Sequence, residues 1–402
     1  MKNKNQEKSR YFGLGRNIFF TGLTSLFTDT STKMVYSVMP LFLLSVGASK
    51  TTLSLIEGIA ESTSSLLKAF SGIWSDKTGR NKPFMIFGYG ITALITPIYA
   101  FISTPFQVLL CRFTERVGKG IRTAPRDSLI SGTLQGNNAG KSFGFHKAMD
   151  NSGAIIGPLL ASLMLAIFPL QYRYIFIIAT LPAIMGVITI VLFVKDQSTP
   201  LSSGKAPFRF SHLPRRFYFF LAIIFVFSLG NSTDALLLVK ASETGVRSSY
   251  IPFIYMIFNS VSVLLAIPAG KLSDVKGREK LITAGYVVYA LVYFIFGYSH
   301  HLPVLVFAFI LYGAYSALTD SCQKALVSDL AGKEIKGTGF GMYQAVLGIT
   351  LLPASLIAGR LYDKVNASAP FYFGGSMALL AALLMAIFVI TSKKSNVDLT
   401  VA

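Results

Sequence analysis

Apolar residues in this chain come in runs of about twenty, the length a helix needs to cross a ~30 Å hydrocarbon layer at ~1.5 Å per residue. Residues 19–44, 85–102, 174–194, 217–239 and 371–390 are the plainest runs. A bilayer offers no water to satisfy peptide groups, so only helices or closed barrels can span it. The runs lack the period-two alternation of barrel strands, which leaves helices. Composition agrees: 14% of the residues are charged, against about 25% in a soluble protein. The expected fold is therefore all-α and integral to a membrane.

Runs and breaks divide the chain into twelve spans, at 17–45, 51–73, 83–103, 106–133, 140–168, 172–195, 216–240, 250–272, 281–299, 303–329, 336–361 and 368–392. Residues 196–215 form a polar, basic connector with Pro200, Pro207 and Pro214. It separates an N-terminal six-helix bundle, 1–195, from a C-terminal one, 216–402. The net charge of +19, from 37 Lys and Arg against 18 Asp and Glu, would suggest nucleic acid in a soluble protein. Here it marks topology instead. Lys2, Lys4, Lys8, Arg10 and Arg16 precede span one, Lys77, Arg80 and Lys82 follow span two, and Lys195 to Arg216 fill the connector. Lys393 and Lys394 follow span twelve, whereas the loops at 45–52, 103–107 and 299–303 hold only Lys50. Positive residues stay on the cytoplasmic side, so both termini and the connector are expected there, in a multi-pass protein of the cytoplasmic (inner) membrane. Cys111 and Cys322 both lie inside apolar segments and indicate no disulfide framework. The first span carries Asp29 and Lys33 and reads as a retained helix, not a cleaved leader.

Within this pattern one phrase occurs twice. Gly72, Asp76, Gly79, Arg80 and Lys82 follow span two, and Gly270, Asp274, Gly277, Arg278 and Lys280 follow span eight, 198 positions later (72 to 270). Gly140-Lys-Ser-Phe-Gly144 likewise returns as Gly337-Thr-Gly-Phe-Gly341, and Ala124 to Leu129 has a looser echo from Cys322 onward. Three matches at nearly one offset imply a duplicated bundle, the arrangement that places a solute site near the membrane midplane. The chain resembles the major facilitator superfamily of secondary transporters over nearly its full length. The resemblance implies two pseudo-symmetric six-helix bundles that tilt to expose one cavity to either side. It also implies that Gly72, Asp76, Gly79 and Arg80, with Asp274 and Arg278 in the repeat, form a gating latch. A carboxylate at a helix end can cap a neighbouring helix and hold an arginine.

Gly144, Gly153, Gly157 and Pro158 in span five resemble the superfamily's antiporter motif, with Ala161-Ser162 where a Gly-Gly pair closes it. Small residues so spaced let helix five approach a partner expected in the other half. Span four is the richest in charge. Arg112, Arg116, Lys119, Arg122 and Arg126 are spaced 4, 3, 3 and 4, which is one helical face. Each would cost ~2.5–3.5 kcal/mol facing lipid, so the row must face helices or water. The run Arg116-Val-Gly-Lys-Gly-Ile-Arg-Thr-Ala-Pro-Arg126-Asp127 resembles a superfamily subgroup with some members tied to siderophore traffic. That subgroup carries an acid where this chain has Lys33.

Acids lie at matching depth. Glu57 and Glu61 are one turn apart on helix two and can pair with Arg112 and Arg116; Asp29 with Lys33, and His146 with Asp150, are i,i+4. Each pair reads either as a structural salt bridge or as a proton carrier, because surroundings set a buried carboxylate's proton affinity. Asp29, His146 and Asp150, then Glu61, are the expected proton-coupling residues. Arg112, Arg116, Lys119 and Arg126 are the expected anion site, with Asn231, Asp234, Tyr343 and Gln344 contributed by the second half. No nucleotide loop, Ser-His-Asp arrangement or Cys/His metal cluster occurs. The expectation is a transporter and not an enzyme, without cofactor, metal or nucleic-acid partner, functional as a monomer. It would move a small anionic solute, siderophore- or polycarboxylate-like, against protons, with export favoured. A broad drug/proton antiporter and a transport-inactive sensor on the same fold are the alternatives. A sensor would be expected to carry a long soluble tail, whereas the chain ends shortly after span twelve.

Overall fold

A computed structural model of the chain describes residues 10–11, 14–78, 80–132, 139–196, 213–331 and 336–401. A short antiparallel hairpin, Arg10–Tyr11 with Leu14–Gly15, precedes a series of helices. They are α1 (Arg16–Ser45), α2 (Lys50–Thr78), α3 (Lys82–Ile98, continued by a 3-10 turn at Tyr99–Phe101), α4 (Pro105–Gly132), α5 (Ala139–Ile167) and α6 (Tyr172–Phe193). After the connector come α7 (Arg215–Gly230), α8 (Asp234–Ser242), α9 (Tyr250–Lys276), α10 (Arg278–Tyr298), α11 (Leu302–Ala331), α12 (Lys336–Lys364) and α13 (Ala369–Val401). Because α7 and α8 are two pieces of one span, the architecture is twelve spans of helix, as the sequence implies. Among the described residues, nine spans are long and apolar enough to cross a membrane by length and composition alone. The other three, α1, α2 and α4, are equally long at 30, 29 and 28 residues, but hold most of the buried polar side chains of the first half.

The chain condenses into two compact units, one of residues 1–42 and 63–205, the other of 43–62 and 206–402. In the first, α3 packs against α4 and α6. Its apolar core is Phe20, Met85, Tyr89, Leu129, Ile190 and Val194. A Cβ on Gly88 would come within 2.5 Å of the Gly118 carbonyl oxygen, so backbone meets backbone at the α3–α4 crossing. In lipid, helices associate through such close van der Waals fits, since apolar burial there gains nothing.

The second unit repeats the plan. There α10 packs against α11 and α13, and Gly285 occupies the α10–α11 crossing, where a Cβ would fall 2.4 Å from Thr319 Cγ2. Residues 43–62, expected with the N-terminal bundle, pack in this unit. Gly58 lies against Ser355 and Leu352 of α12, and Gly359 of α12 lies against Thr51 and Ser54. These two glycines let the backbones meet. Polar contacts complete the seam: the Thr51 N–H donates to Asp363 Oδ2 (2.7 Å), Lys50 pairs with Glu243 (3.5 Å), and the Tyr362 hydroxyl donates to Glu243 Oε2 (2.7 Å).

The span expected to run unbroken over 216–240 is interrupted at Asn231–Thr233. No proline causes this. The run Asn-Ser-Thr-Asp offers side chains that compete for backbone groups, and Thr233 Oγ1 caps α8 by accepting the Ala235 N–H (3.2 Å). The loose ends are satisfied: the Asn231 N–H donates to Phe227 and Ser228 carbonyls, and the Tyr289 hydroxyl donates to the Gly230 carbonyl (3.1 Å).

Candidate functional site: the charged interior of the first unit

Helix α4 carries five cations on one stripe, and they have different surroundings. Arg112, 1% exposed, donates to Glu115 Oε2 (3.2 Å), which also accepts the Tyr99 hydroxyl (2.9 Å). Its guanidinium lies 5.4 Å over the Tyr36 ring, and the Lys33 ammonium lies over the same ring at 5.4 Å. Arg122, at the edge of the stripe, turns to α3: it donates to Thr92 Oγ1 (2.6 Å) and sits 4.2 Å over the Tyr89 ring. Arg116 is buried and Lys119 half-buried between these two anchored residues. Arg126 pairs with its neighbour Asp127 (3.0 Å) and reaches toward α5, where its Nη1 is 4.0 Å from Asp150 Oδ2.

On α5, His146 and Asp150 face the same region. His146 Nε2 is 2.9 Å from the Ser25 hydroxyl of α1, and His146 Nδ1 is 3.6 Å from Asp150 Oδ2. A serine hydroxyl that donates to Nε2 leaves a neutral ring's proton on Nδ1, aimed at Asp150. That gap exceeds a hydrogen bond. Asp150 Oδ1 is buried and accepts no hydrogen bond among the described residues. A buried acceptor left so is costly, and a proton or a donor group supplied from outside would relieve it. Asp29, half-buried on α1, lies against Gly153, one turn from Asp150. The unit thus gathers Ser25, Asp29, Arg126, His146 and Asp150 on three helices.

The motif glycines divide. Cβ atoms on Gly153 and Gly157 would come within 2.7 Å of the Leu26 carbonyl oxygen and 2.5 Å of that of Thr30, whereas Gly144 has nothing within 4 Å. Their close partner is therefore α1 of the same unit, where the sequence pattern suggested a helix of the other half. Pro158 is accommodated inside α5. Of the latch residues, Gly72, Asp76 and Gly79 lie outside the described side chains, and Arg80 is exposed. In the repeat, Gly277 has φ +91°, the left-handed turn glycine permits. Arg278 donates to the Ala325 carbonyl (2.8 Å) and to Asp329 at the end of α11, while Asp274 is exposed.

In the second unit, Tyr343 donates to Gln323 (2.8 Å), which donates to Tyr286 (3.2 Å); Gln344 is half-buried. Asn231 Oδ1 lies 3.2 Å from the Tyr289 hydroxyl, and Asp234 Oδ1 accepts from Tyr312 (2.8 Å). Glu57 is buried and Glu61 half-buried on the α2 segment of this unit. Sequence reasoning missed Ser25 and the Tyr99–Glu115 bond. Neither carries a motif; a serine four residues before Asp29 on the same helix face was the one available hint for Ser25.

Charged side chains carried inside twelve largely apolar spans define a multi-pass membrane transporter. The family model of the Major Facilitator Superfamily matches residues 21–239 and again 218–400. The uncharacterized MFS-type transporter MJ1317 of Methanocaldococcus jannaschii is 34% identical over 392 residues, spanning 95% of this chain and 96% of that one. The quinolone resistance protein NorA of Staphylococcus aureus is 22% identical over 158 residues, 39% of this chain and 40% of its own. A POT family transporter crystallised with 5-aminolevulinic acid shares the fold, with a TM-score of 0.81 at 12% identity over 94% of this chain and 97% of that one. The chain belongs to the Major Facilitator Superfamily.

Proposed function

We propose that the protein is a proton-coupled secondary transporter of a small anionic solute, siderophore- or polycarboxylate-like, working by alternating access with export favoured. It acts as a monomer in the cytoplasmic membrane with both termini inside the cell. The observation that carries the reading is the buried Oδ1 of Asp150, which has no hydrogen bond among the described residues, with His146 and Arg126 within 4.0 Å of its other oxygen. Arg126 and His146 both face the other oxygen, so a proton or donor group delivered to Oδ1 would meet an acceptor they leave open. Arg116 and Lys119 lie on the same helix as Arg126 and supply positive charge for the solute. The latch assigned to Asp76 and Arg80 stays part of this reading.

The test is flux in proteoliposomes under an imposed pH gradient, with citrate and an iron-chelating polycarboxylate as probes. Wild type should accumulate a probe against its concentration gradient only when the pH gradient is present. Arg116→Ala should reduce flux at least tenfold while the protein still folds. Transport indifferent to the gradient would reject coupling, and unchanged flux in Arg116→Ala would reject the basic site. The partial likeness to NorA favours a second reading, a drug/proton antiporter, under which a lipophilic cation and not a polycarboxylate would be the cargo.

A further inference from the structure

The second unit contains a carboxylate, Asp234, whose charge is of the wrong sign for the anion site it was expected to join. Asp234 opens α8 at the break in span seven. Thr233 already caps that helix, so the Asp234 side chain is not needed as its cap. Its Oδ1 instead takes the Tyr312 hydroxyl from α11 at 2.8 Å. The Tyr312 ring stacks on Phe258 of α9 (4.9 Å between centroids) and on Tyr315 (5.4 Å). Asp234, Phe258 and Asn259 are half-buried, whereas the rings behind them, Tyr312 and Tyr315, are buried. The carboxylate and one aromatic face thus border the accessible part of the cluster. On the same face of α11, two turns or about 12 Å from Tyr312, is a second acid, Asp320. It accepts the Ser316 hydroxyl (2.9 Å), which in turn accepts Ser262 of α9 (3.0 Å).

A carboxylate beside π faces is the chemistry that recognises an organic cation: the charge attracts, and the ring quadrupole adds to it. We propose that the second unit carries its own site for an ammonium group, with Asp234 as counter-ion, Phe258 as the aromatic face, Tyr312 positioning the carboxylate through its hydroxyl and Asp320 as a second acid along the same helix face.

The experiment is equilibrium binding of benzylammonium to the full-length protein in nanodiscs at neutral pH, with benzyl alcohol as the neutral isostere and benzoate as the anionic one. Wild type should bind benzylammonium saturably, and benzyl alcohol should not compete. Asp234→Asn should weaken binding at least tenfold and Asp234→Glu by less than about threefold. Phe258→Leu, which keeps apolar bulk, should weaken it severalfold and decides the matter if Asp234→Asn does not fold. Absence of saturable binding in wild type, or equal affinity in Asp234→Asn or Phe258→Leu, overturns the proposal. Benzoate binding retained alongside either result leaves the anion reading standing. Benzoate binding lost while benzylammonium binding persists sinks the anion reading alone.

Discussion

Replacing Arg112 by methionine separates a structural cation from a solute ligand. Arg112 and Glu115 are 1% and 6% exposed at their side chains and joined at 3.2 Å, with the Tyr99 hydroxyl on the same carboxylate oxygen. Removing the guanidinium leaves a buried carboxylate with the Tyr99 phenol and the weaker pull of Arg116 and Lys119. Breaking such a pair from one side costs about 3–5 kcal/mol, because the surviving charge loses its compensation. Loss of the stacking over Tyr36 adds to this, about 0.5–2 kcal/mol for a cation–π contact. Removing both partners, Arg112→Met with Glu115→Leu, should return most of the stability, since a well-packed apolar pair often equals or exceeds a buried ion pair. The assay is unfolding of the purified protein by a denaturing detergent in mixed micelles, read by helicity, for the two single variants and the double. A coupling energy near the single-variant loss is expected. The reasoning fails if Arg112→Met unfolds with wild-type stability yet no longer binds solute. Arg112 would then be a ligand, as the charge pattern of span four suggested.

Two further outcomes follow from the first unit. Gly153→Ala should destabilise by about 1–3 kcal/mol, because the new methyl would meet the Leu26 carbonyl oxygen at 2.7 Å and the Thr30 nitrogen at 2.9 Å, neither able to yield. Gly144→Ala, with open space around it, should be neutral or slightly stabilising in the same unfolding assay. Asp150→Asn should abolish flux driven by a pH gradient while leaving solute exchange across a membrane with no gradient; loss of both activities equally, in a folded protein, would contradict a proton-carrying role.

The spans were legible because hydropathy reports contact with oil directly. Their ends were less so: α2 runs to Thr78 and α9 to Lys276, past the expected 73 and 272. A helix can continue into water, where its ladder still closes, though the apolar run has stopped. The break at Asn231–Thr233 was hidden, since the flanking segments remain apolar and no proline marks it. Grouping of acids with bases was partly legible. The i,i+4 pair His146 and Asp150 does face one place, but Arg112 takes Glu115 three residues along its own helix, a partner that a search for acids on neighbouring helices passed over. Such choices depend on which side of α4 meets α3, and that is fixed by Gly88 and Gly118 at the crossing, not by the charges.

The duplication itself weighs these assignments. With the offset of 198, Arg112, Glu115, Arg116 and Lys119 of α4 fall on Ile310, Gly313, Ala314 and Ala317 of α11. Tyr99 falls on Gly297, so the Arg112–Glu115–Tyr99 group is missing from the copy as a whole and not in part. At the helix crossing, where Gly285 stands for Gly88, the offset is 197, and Arg122, Tyr89 and Thr92 become Thr319, Tyr286 and Tyr289. Yet α10 and α11 still pack closely through a glycine, Gly285, as α3 and α4 do through Gly88. The bundle therefore folds without an ionic layer, and a layer that costs desolvation wherever it occurs is not there to hold helices together. Its retention in the first copy alone fits a task that one copy performs. The second copy keeps a cation, Lys324, at the place of Arg126, and its added charges include the acids Asp234 and Asp320.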